Sequence, residues 1–339
     1  MSKSRNFFHW PNLLETQQSE NMPRIAEAFG SFGTYADEAT SEGLGEDLPQ
    51  RFDVSRYYIT SGVEGSGNSD DAGTAASRTN YFRETYAYGD EILAPGIEGF
   101  MNLARLEEAA RVLSSSQRVK PVIVYANLLL PGQELALHTD VPEFRGLNRK
   151  NVPQWLLVCM LHSGLFAQWR IPILTCVSWW GSADGGAFTF YPDGPDGVRD
   201  SIPATDNSAI LIDTDRIYHG VERVGDYQSD LPEIGKDTRL HFVGGQDWAL
   251  RDNERTLANY QWADIRYSIS WKAYCFSDDS DYARWQQGSD DLTLPAVLDR
   301  LESALRECGA LEGPRPAPTE FAMLLVNTFV KFPGDAVAA

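Results

Sequence analysis

The stretch QELALHTD (133–140) reads as a β-strand that ends in a histidine and an aspartate two positions apart. On a strand, residues i and i+2 point to the same side, so His138 and Asp140 present an imidazole and a carboxylate together. A second imidazole would complete a facial set of ligands for a non-haem ferrous ion, with three octahedral positions left open. His219, in IYHGVERV (217–224), is the candidate to arrive from another strand.

Working outward, the chain from residue 120 onward is a series of short strand-like runs. They are PVIVYANLLL (121–130), QELALHTD (133–140), WLLVCMLH (155–162), ILTCVSWW (173–180), GAFTFYP (186–192), SAILIDT (208–214), IYHGVERV (217–224), RLHFVG (239–244) and IRYSISWKAYCF (265–276). Turn signals such as PGQ, DGG and PDGPDG bound many of them. So many strands without a long intervening helix predict a sandwich or barrel. Before them, Phe100, Leu103, Leu106, Ala110 and Leu113 recur with helical spacing, which predicts a helix over 95–113. After them, LPAVLDRLESALRECG (294–309) reads as an amphipathic helix stopped by Gly309. Residues 61–80, rich in Gly, Ser, Asp and Ala, read as a loop, either solvated or a lid over substrate.

No internal repeat or linker is visible. The expected fold class is mainly β with flanking helices in one domain, 1–339. Residues 1–117 form an N-terminal helical or lid region, 118–278 the core, and 279–339 a C-terminal helical extension.

Apolar residues make up 42% and charged residues 23% of the chain, an ordinary composition for a globular protein with a sizeable core. The formal charge of −19 argues against a nucleic-acid or anionic-membrane surface. No apolar run approaches the ~20 residues of a membrane span, and the start lacks a signal-peptide apolar stretch. Cys159, Cys176, Cys275 and Cys308 lack metal-site or disulfide-framework spacing. The default expectation is a cytoplasmic protein with free thiols.

Taken in order, the HxD pair, Gly185-Gly186-Ala187-Phe188, His219-Gly220-Val221 and the Arg266-Tyr267-Ser268-Ile269-Ser270 strand resemble the Fe(II)/2-oxoglutarate-dependent dioxygenases. The likeness spans 121–276. The middle portion looks most like the prolyl-hydroxylase branch, and the terminal Arg-x-Ser looks like the isopenicillin N synthase branch. The resemblance implies a double-stranded β-helix (jelly-roll) core, with His138, Asp140 and His219 as catalytic metal ligands. It further implies Fe(II), 2-oxoglutarate as cosubstrate, and O2. The implied activity is oxidation of an unactivated C–H bond, most simply hydroxylation, with release of succinate and CO2. A small-molecule substrate such as an amino acid or natural-product intermediate fits. The alternatives are a peptidyl hydroxylase, or a cupin-like metal enzyme that does not use 2-oxoglutarate.

In such enzymes a basic residue ten to fifteen positions after the second histidine anchors the cosubstrate's far carboxylate. Here Arg266 follows His219 by 47 positions, which implies an insertion over about 225–262. Arg266 is preferred as anchor because Ser268 accompanies it with matching parity and because a guanidinium in an apolar strand needs an anion. Arg239 is the rival. Tyr125 and Asn127 share one face of the preceding strand and are candidates to touch the cosubstrate, with core packing the competing role for Tyr125. Arg145 reads either as solvated or as a substrate anchor. Asp213 and Asp215 read as turn residues, and His9, His162 and His241 as structural histidines.

Overall fold

The computed structural model describes residues 6–35, 48–61, 72–225 and 231–333. The N-terminal third runs β1 (Phe7–Trp10), α1 (Thr16–Phe29), β2 (Ser31–Thr34), α2 (Phe52–Ser61), α3 (Ala72–Thr79), β3 (Phe82–Tyr88), β4 (Glu91–Ile92), α4 (Glu98–Met101) and α5 (Ala104–Ser114). The middle runs β5 (Arg118–Leu129), β6 (Leu135–His138), β7 (Glu143–Phe144), α6 (Gln154–Ser163), β8 (Arg170–Ile171), β9 (Ile173–Trp180) and β10 (Phe188–Phe190). It continues with β11 (Asp200–Ile202), β12 (Ser208–Ile212), β13 (His219–Val221), β14 (Thr238–Gly244), β15 (Asp247–Asp252), β16 (Arg255–Gln261) and β17 (Arg266–Phe276). Three helices follow, α7 (Asp279–Gln287), α8 (Leu294–Glu307) and α9 (Pro318–Phe329).

Two antiparallel sheets carry the site. The larger contains the run β12-β9-β17-β5, and the smaller has the order β11-β10-β13-β6. Along the chain, β5, β9, β12 and β17 belong to the first sheet, while β6, β10, β11 and β13 belong to the second. The chain thus crosses between sheets repeatedly, which is the winding of a double-stranded β-helix. The expected jelly-roll core is present.

The alternation in RYSISWKAYCF explains how β17 sits. Tyr267, Ile269, Trp271, Ala273 and Cys275 point to one face and join the large cluster that also contains Met22 and Ile25 of α1, Phe100 of α4 and Leu106 of α5. The opposite parity sends Arg266, Ser268 and Ser270 inward, each at most 3% exposed. The usual pattern is inverted: the apolar face packs on helices and the polar face lines the barrel. A second cluster packs α6, α8 and α9 together, and a third, built on Trp179, Phe188, Phe190, Ile210 and Ile212, fills the barrel.

Several local expectations are corrected. The run 155–162 is helical, within α6. Gln154 to Met160 are all buried, so the run has no periodicity to separate helix from strand. Its end is set by Gly164, at φ 71°, whose N–H donates to the Leu161 carbonyl at 3.1 Å. The helix expected over 95–113 breaks into α4 and α5. At the break the Asn102 amide donates to the Glu98 carbonyl at 3.1 Å, a local bond that competes with helix continuation. Of the loop expected at 61–80, residues 72–79 are the helix α3, and 62–71 lie outside the described residues. The first 117 residues supply strands as well as helices: β1 pairs with β12 and β3 with β5. The insertion after β13 builds β14, β15 and β16, which extend the larger sheet through β2. Among the described residues no helix is long and apolar enough to cross a membrane.

Candidate metal centre

Strands β6 and β13 are antiparallel neighbours, and their register sets His138 directly opposite His219. The two rings lie 4.3 Å apart between centroids. Each ring is oriented by the same device. Nδ1 of His138 donates to the Ala136 carbonyl at 2.7 Å, and Nδ1 of His219 donates to the Ile217 carbonyl at 2.9 Å. A carbonyl only accepts, so both protons sit on Nδ1 and both Nε2 lone pairs are left for a Lewis acid. Burial, and secondly the His138 ring, pushes the His219 pKa down to about 3, so its imidazole is neutral at neutral pH.

Asp140 lies just past β6, where its N–H donates to the Thr214 carbonyl at 2.8 Å. Its Oδ1 is 3.6 Å from Nε2 of His138 and 3.9 Å from Nε2 of His219. One donor atom from each of the three residues falls within 4.8 Å of the others. Two imidazoles and one carboxylate converging in this way fit a six-coordinate ferrous ion with open positions. The other carboxylate oxygen, Oδ2, accepts from Nζ of Lys272 at 2.6 Å, and the same ammonium reaches the Thr175 hydroxyl at 2.8 Å. Burial alone would raise the Asp140 pKa; the Lys272 ammonium and the two histidines outweigh it and hold the carboxyl well below its usual range. Lys272 leaves Oδ1 as the oxygen facing the imidazoles.

Further along the same face of β17, Arg266 is 3% exposed. Its Nε donates to the Gly186 carbonyl at 2.6 Å and Nη1 reaches the Ser268 hydroxyl at 3.5 Å, while buried Nη2 has no partner. No carboxylate among the described residues pairs with it, and burial lowers its pKa to about 9. Asn127 stands opposite Ser268 on β5; its Nδ2 reaches the Ser270 hydroxyl at 3.4 Å, and its Oδ1 is likewise buried without a partner. Orphaned buried groups of this kind mark a place where a ligand would complete the hydrogen bonding. The GG-x-F motif has its explanation here. Gly186 sits at φ +62°, and a Cβ on it would meet Cδ of Arg266 at 2.4 Å.

A cavity of about 700 Å³ opens beside the triad and is walled in part by Tyr125, His138, Asp140 and Lys272. Arg266, Ser268, Asn127 and His219 are not among its wall residues. The rival anchor Arg239 is not a wall residue either; it lies on β14, bound to Glu84 at 2.9 Å and Ser31 at 2.8 Å. Arg145 is neither solvated nor at the cavity: it is buried, with Asp290 at 2.8 Å and Asp281 at 3.4 Å. Asp213 and Asp215 pair with Arg170 at 2.7 and 3.2 Å. Sequence reasoning missed Lys272, and it reads Arg83 only as part of the aromatic tract 81–88, as core packing or pocket wall; Tyr81, Arg83 and Tyr88 are wall residues. Lys272 carries a readable signal, since it shares parity with Arg266, Ser268 and Ser270. Arg83 sits in the aromatic tract Tyr81–Tyr88 with nothing local to single it out.

No protein-family model matches the chain, and no curated protein matches it. Among solved structures it is similar to a 2OG-Fe(II) oxygenase family oxidoreductase from Burkholderia pseudomallei, with 10% identity, TM-score 0.41, and 80% of this chain and 88% of that chain covered. It is also similar to a Pseudomonas putida prolyl-4-hydroxylase, with 10% identity, TM-score 0.39, and 81% and 95% covered. A third is HygX from Streptomyces hygroscopicus, bound to nickel, 2-oxoglutarate and hygromycin B, with 11% identity, TM-score 0.38, and 80% and 83% covered. These are likenesses in outline; the strand order and the side chains around the triad carry the reading of this protein. The chain is a double-stranded β-helix protein with two histidines and an aspartate gathered at one site, similar in outline to 2-oxoglutarate/Fe(II) oxygenases.

Proposed function

We propose that the protein is a non-haem Fe(II)- and 2-oxoglutarate-dependent oxygenase that oxidises an unactivated C–H bond of a small molecule, most simply by hydroxylation. The observation that carries this reading is the triad, with both imidazoles fixed through Nδ1 so that Nε2 faces the Asp140 carboxylate. His138, His219 and Asp140 would hold the iron. Ser268 and Arg266 would receive the far carboxylate of 2-oxoglutarate, satisfying the orphaned guanidinium nitrogen through a charge-assisted bond. Tyr125 and Asn127 are the further candidates to contact the cosubstrate. When bound, iron, 2-oxoglutarate and O2 together supply an oxidant strong enough for a C–H bond, with succinate and CO2 as by-products. The chain's own share is geometry and exclusion of water. Lys272 keeps Asp140 turned, the carbonyls of Ala136 and Ile217 fix the rings, and the cavity walls hold the substrate.

Anaerobic addition of Fe(II) and 2-oxoglutarate to the purified protein should produce a weak visible charge-transfer band. His138→Ala should abolish the band together with iron uptake. Succinate formation coupled to O2 consumption then identifies substrates.

One observation favours a second reading, a metal enzyme of the same fold that does not use 2-oxoglutarate: the cavity walls omit Arg266, Ser268 and Asn127. Uptake of one iron per chain with no band on adding 2-oxoglutarate would select it.

A further inference from the structure

The cavity beside the triad has an electrostatic character opposite to that of the whole chain. The protein carries a formal charge of −19. Yet the described cavity walls hold five cationic side chains, Arg51, Arg83, Arg149, Lys150 and Lys272, against two carboxylates. Those carboxylates are already engaged. Asp140 faces Lys272 at 2.6 Å, and Glu143 accepts from the Tyr274 hydroxyl at 2.7 Å. Arg51 is matched by Asp53 at 3.0 Å.

Arg83 is not matched. Its guanidinium lies 3.6 Å from the ring centre of Tyr125 and 4.6 Å from that of Tyr35, with the Tyr81 phenol beside it. All three neighbours are phenols, and burial raises the Tyr81 pKa, so its phenol stays neutral. No carboxylate among the described residues pairs with Arg83. Arg83 is half-buried at the cavity wall, and a largely desolvated guanidinium without an anion is costly to keep. Two rings hold it flat, which pre-organises the planar fork for an incoming carboxylate. The cavity, at about 700 Å³, is within the size range of small-molecule sites. Tyr88 and Tyr274 add further aromatic wall.

We propose that Arg83 binds the carboxylate of the substrate, and that the substrate is an organic acid with a planar or aromatic body lying among the cavity tyrosines. This inference rests on the reading of the triad as the reaction centre. The two arginines then have separate ligands, with Arg266 holding the cosubstrate and Arg83 the substrate.

The test uses the full chain with Zn(II) in place of iron and saturating 2-oxoglutarate. The probes are 4-(trifluoromethyl)benzoate and its neutral amide, 4-(trifluoromethyl)benzamide, titrated by fluorine NMR. The acid should bind at least about tenfold more tightly than the amide, a difference of ~1.4 kcal/mol. Arg83→Met should erase the preference. Arg83→Lys, which keeps the charge and loses the fork, should retain part of it. In parallel, Arg83→Met with Fe(II) should develop the 2-oxoglutarate band at the wild-type midpoint, which also establishes that the variant is folded. Equal binding of acid and amide by the wild type, or a preference that survives Arg83→Met, overturns the proposal. So does a 2-oxoglutarate midpoint raised by Arg83→Met, because Arg83 would then serve the cosubstrate. If the wild type shows no band yet binds the acid through Arg83, the anion site stands and the oxygenase reading fails.

Discussion

Two regions of this molecule bury arginines, and they treat them differently. At the outer rim beside β8, Arg170 meets Asp213 and Asp215, and Arg145 meets Asp290 and Asp281. Inside the barrel, Arg266 has backbone and hydroxyl partners but no carboxylate, and at the cavity Arg83 has only tyrosines. The rim arginines meet carboxylates within the protein, so they serve the fold, although Nε of Arg170 and Oδ1 of Asp215 are buried without a hydrogen-bond partner. The interior cations are incomplete, and only a bound anion would complete them. Burial by itself does not distinguish structure from function; the missing counter-charge does.

Exchanging each type of arginine for methionine breaks the comparison most directly. Arg170→Met strands Asp215, which is fully buried and whose pKa burial already raises to about 7. It should cost about 3 kcal/mol of stability, read from urea denaturation, and leave iron uptake intact. Arg266→Met should do the reverse. It removes an unpaired buried charge, so the melting temperature should hold or rise, while the midpoint for 2-oxoglutarate rises on the order of a hundredfold. Equal destabilisation by both changes would erase the distinction.

Gly186→Ala sharpens it. A Cβ there collides with Arg266 at a positive-φ position, so cosubstrate affinity should fall about tenfold with iron affinity unchanged. Lys272→Met probes the ammonium bound to Asp140. Loss of the Oδ2 partner should weaken iron binding about tenfold, as read by competition with a chelator.

The smallest effect concerns His162, which neighbours the Arg51–Asp53 pair. Burial pushes its pKa down to about 4; Asp53 opposes that shift and Arg51 adds to it. The unfolded chain takes up this proton near pH 6.5 and the folded chain does not, so stability is lost as pH falls from 6.5 toward 4. Metal-free His219 titrates in the same direction, so the comparison must be with His162→Phe. That variant should lose about 1 kcal/mol less than wild type between pH 6.5 and 5.5.

Much of the barrel was legible because alternation is a local signal. RYSISWKAYCF records in its own residues which side faces in, and i, i+2 parity already aligned His138 with Asp140 and Arg266 with Ser268. The run WLLVCMLH was misleading because helix and strand bury an all-apolar segment equally well. Arg145 was misread because its partners, Asp281 and Asp290, lie 136 and 145 positions away.

From its sequence alone, then, this protein declared a β-rich core, a histidine and an aspartate two positions apart and an arginine on a strand of alternating polarity, since each depends on neighbours within a few residues; that His219 stands opposite His138 was settled by strand pairing. Only the tertiary structure decided that Lys272 holds Asp140, that Gly186 makes room for Arg266, and that Arg83 lies between Tyr35 and Tyr125 at a cationic cavity. Those contacts join segments dozens to more than a hundred positions apart. Charge pairing, close packing and burial across such distances leave no periodic trace in the chain, because they arise only once strands from both sheets have come together.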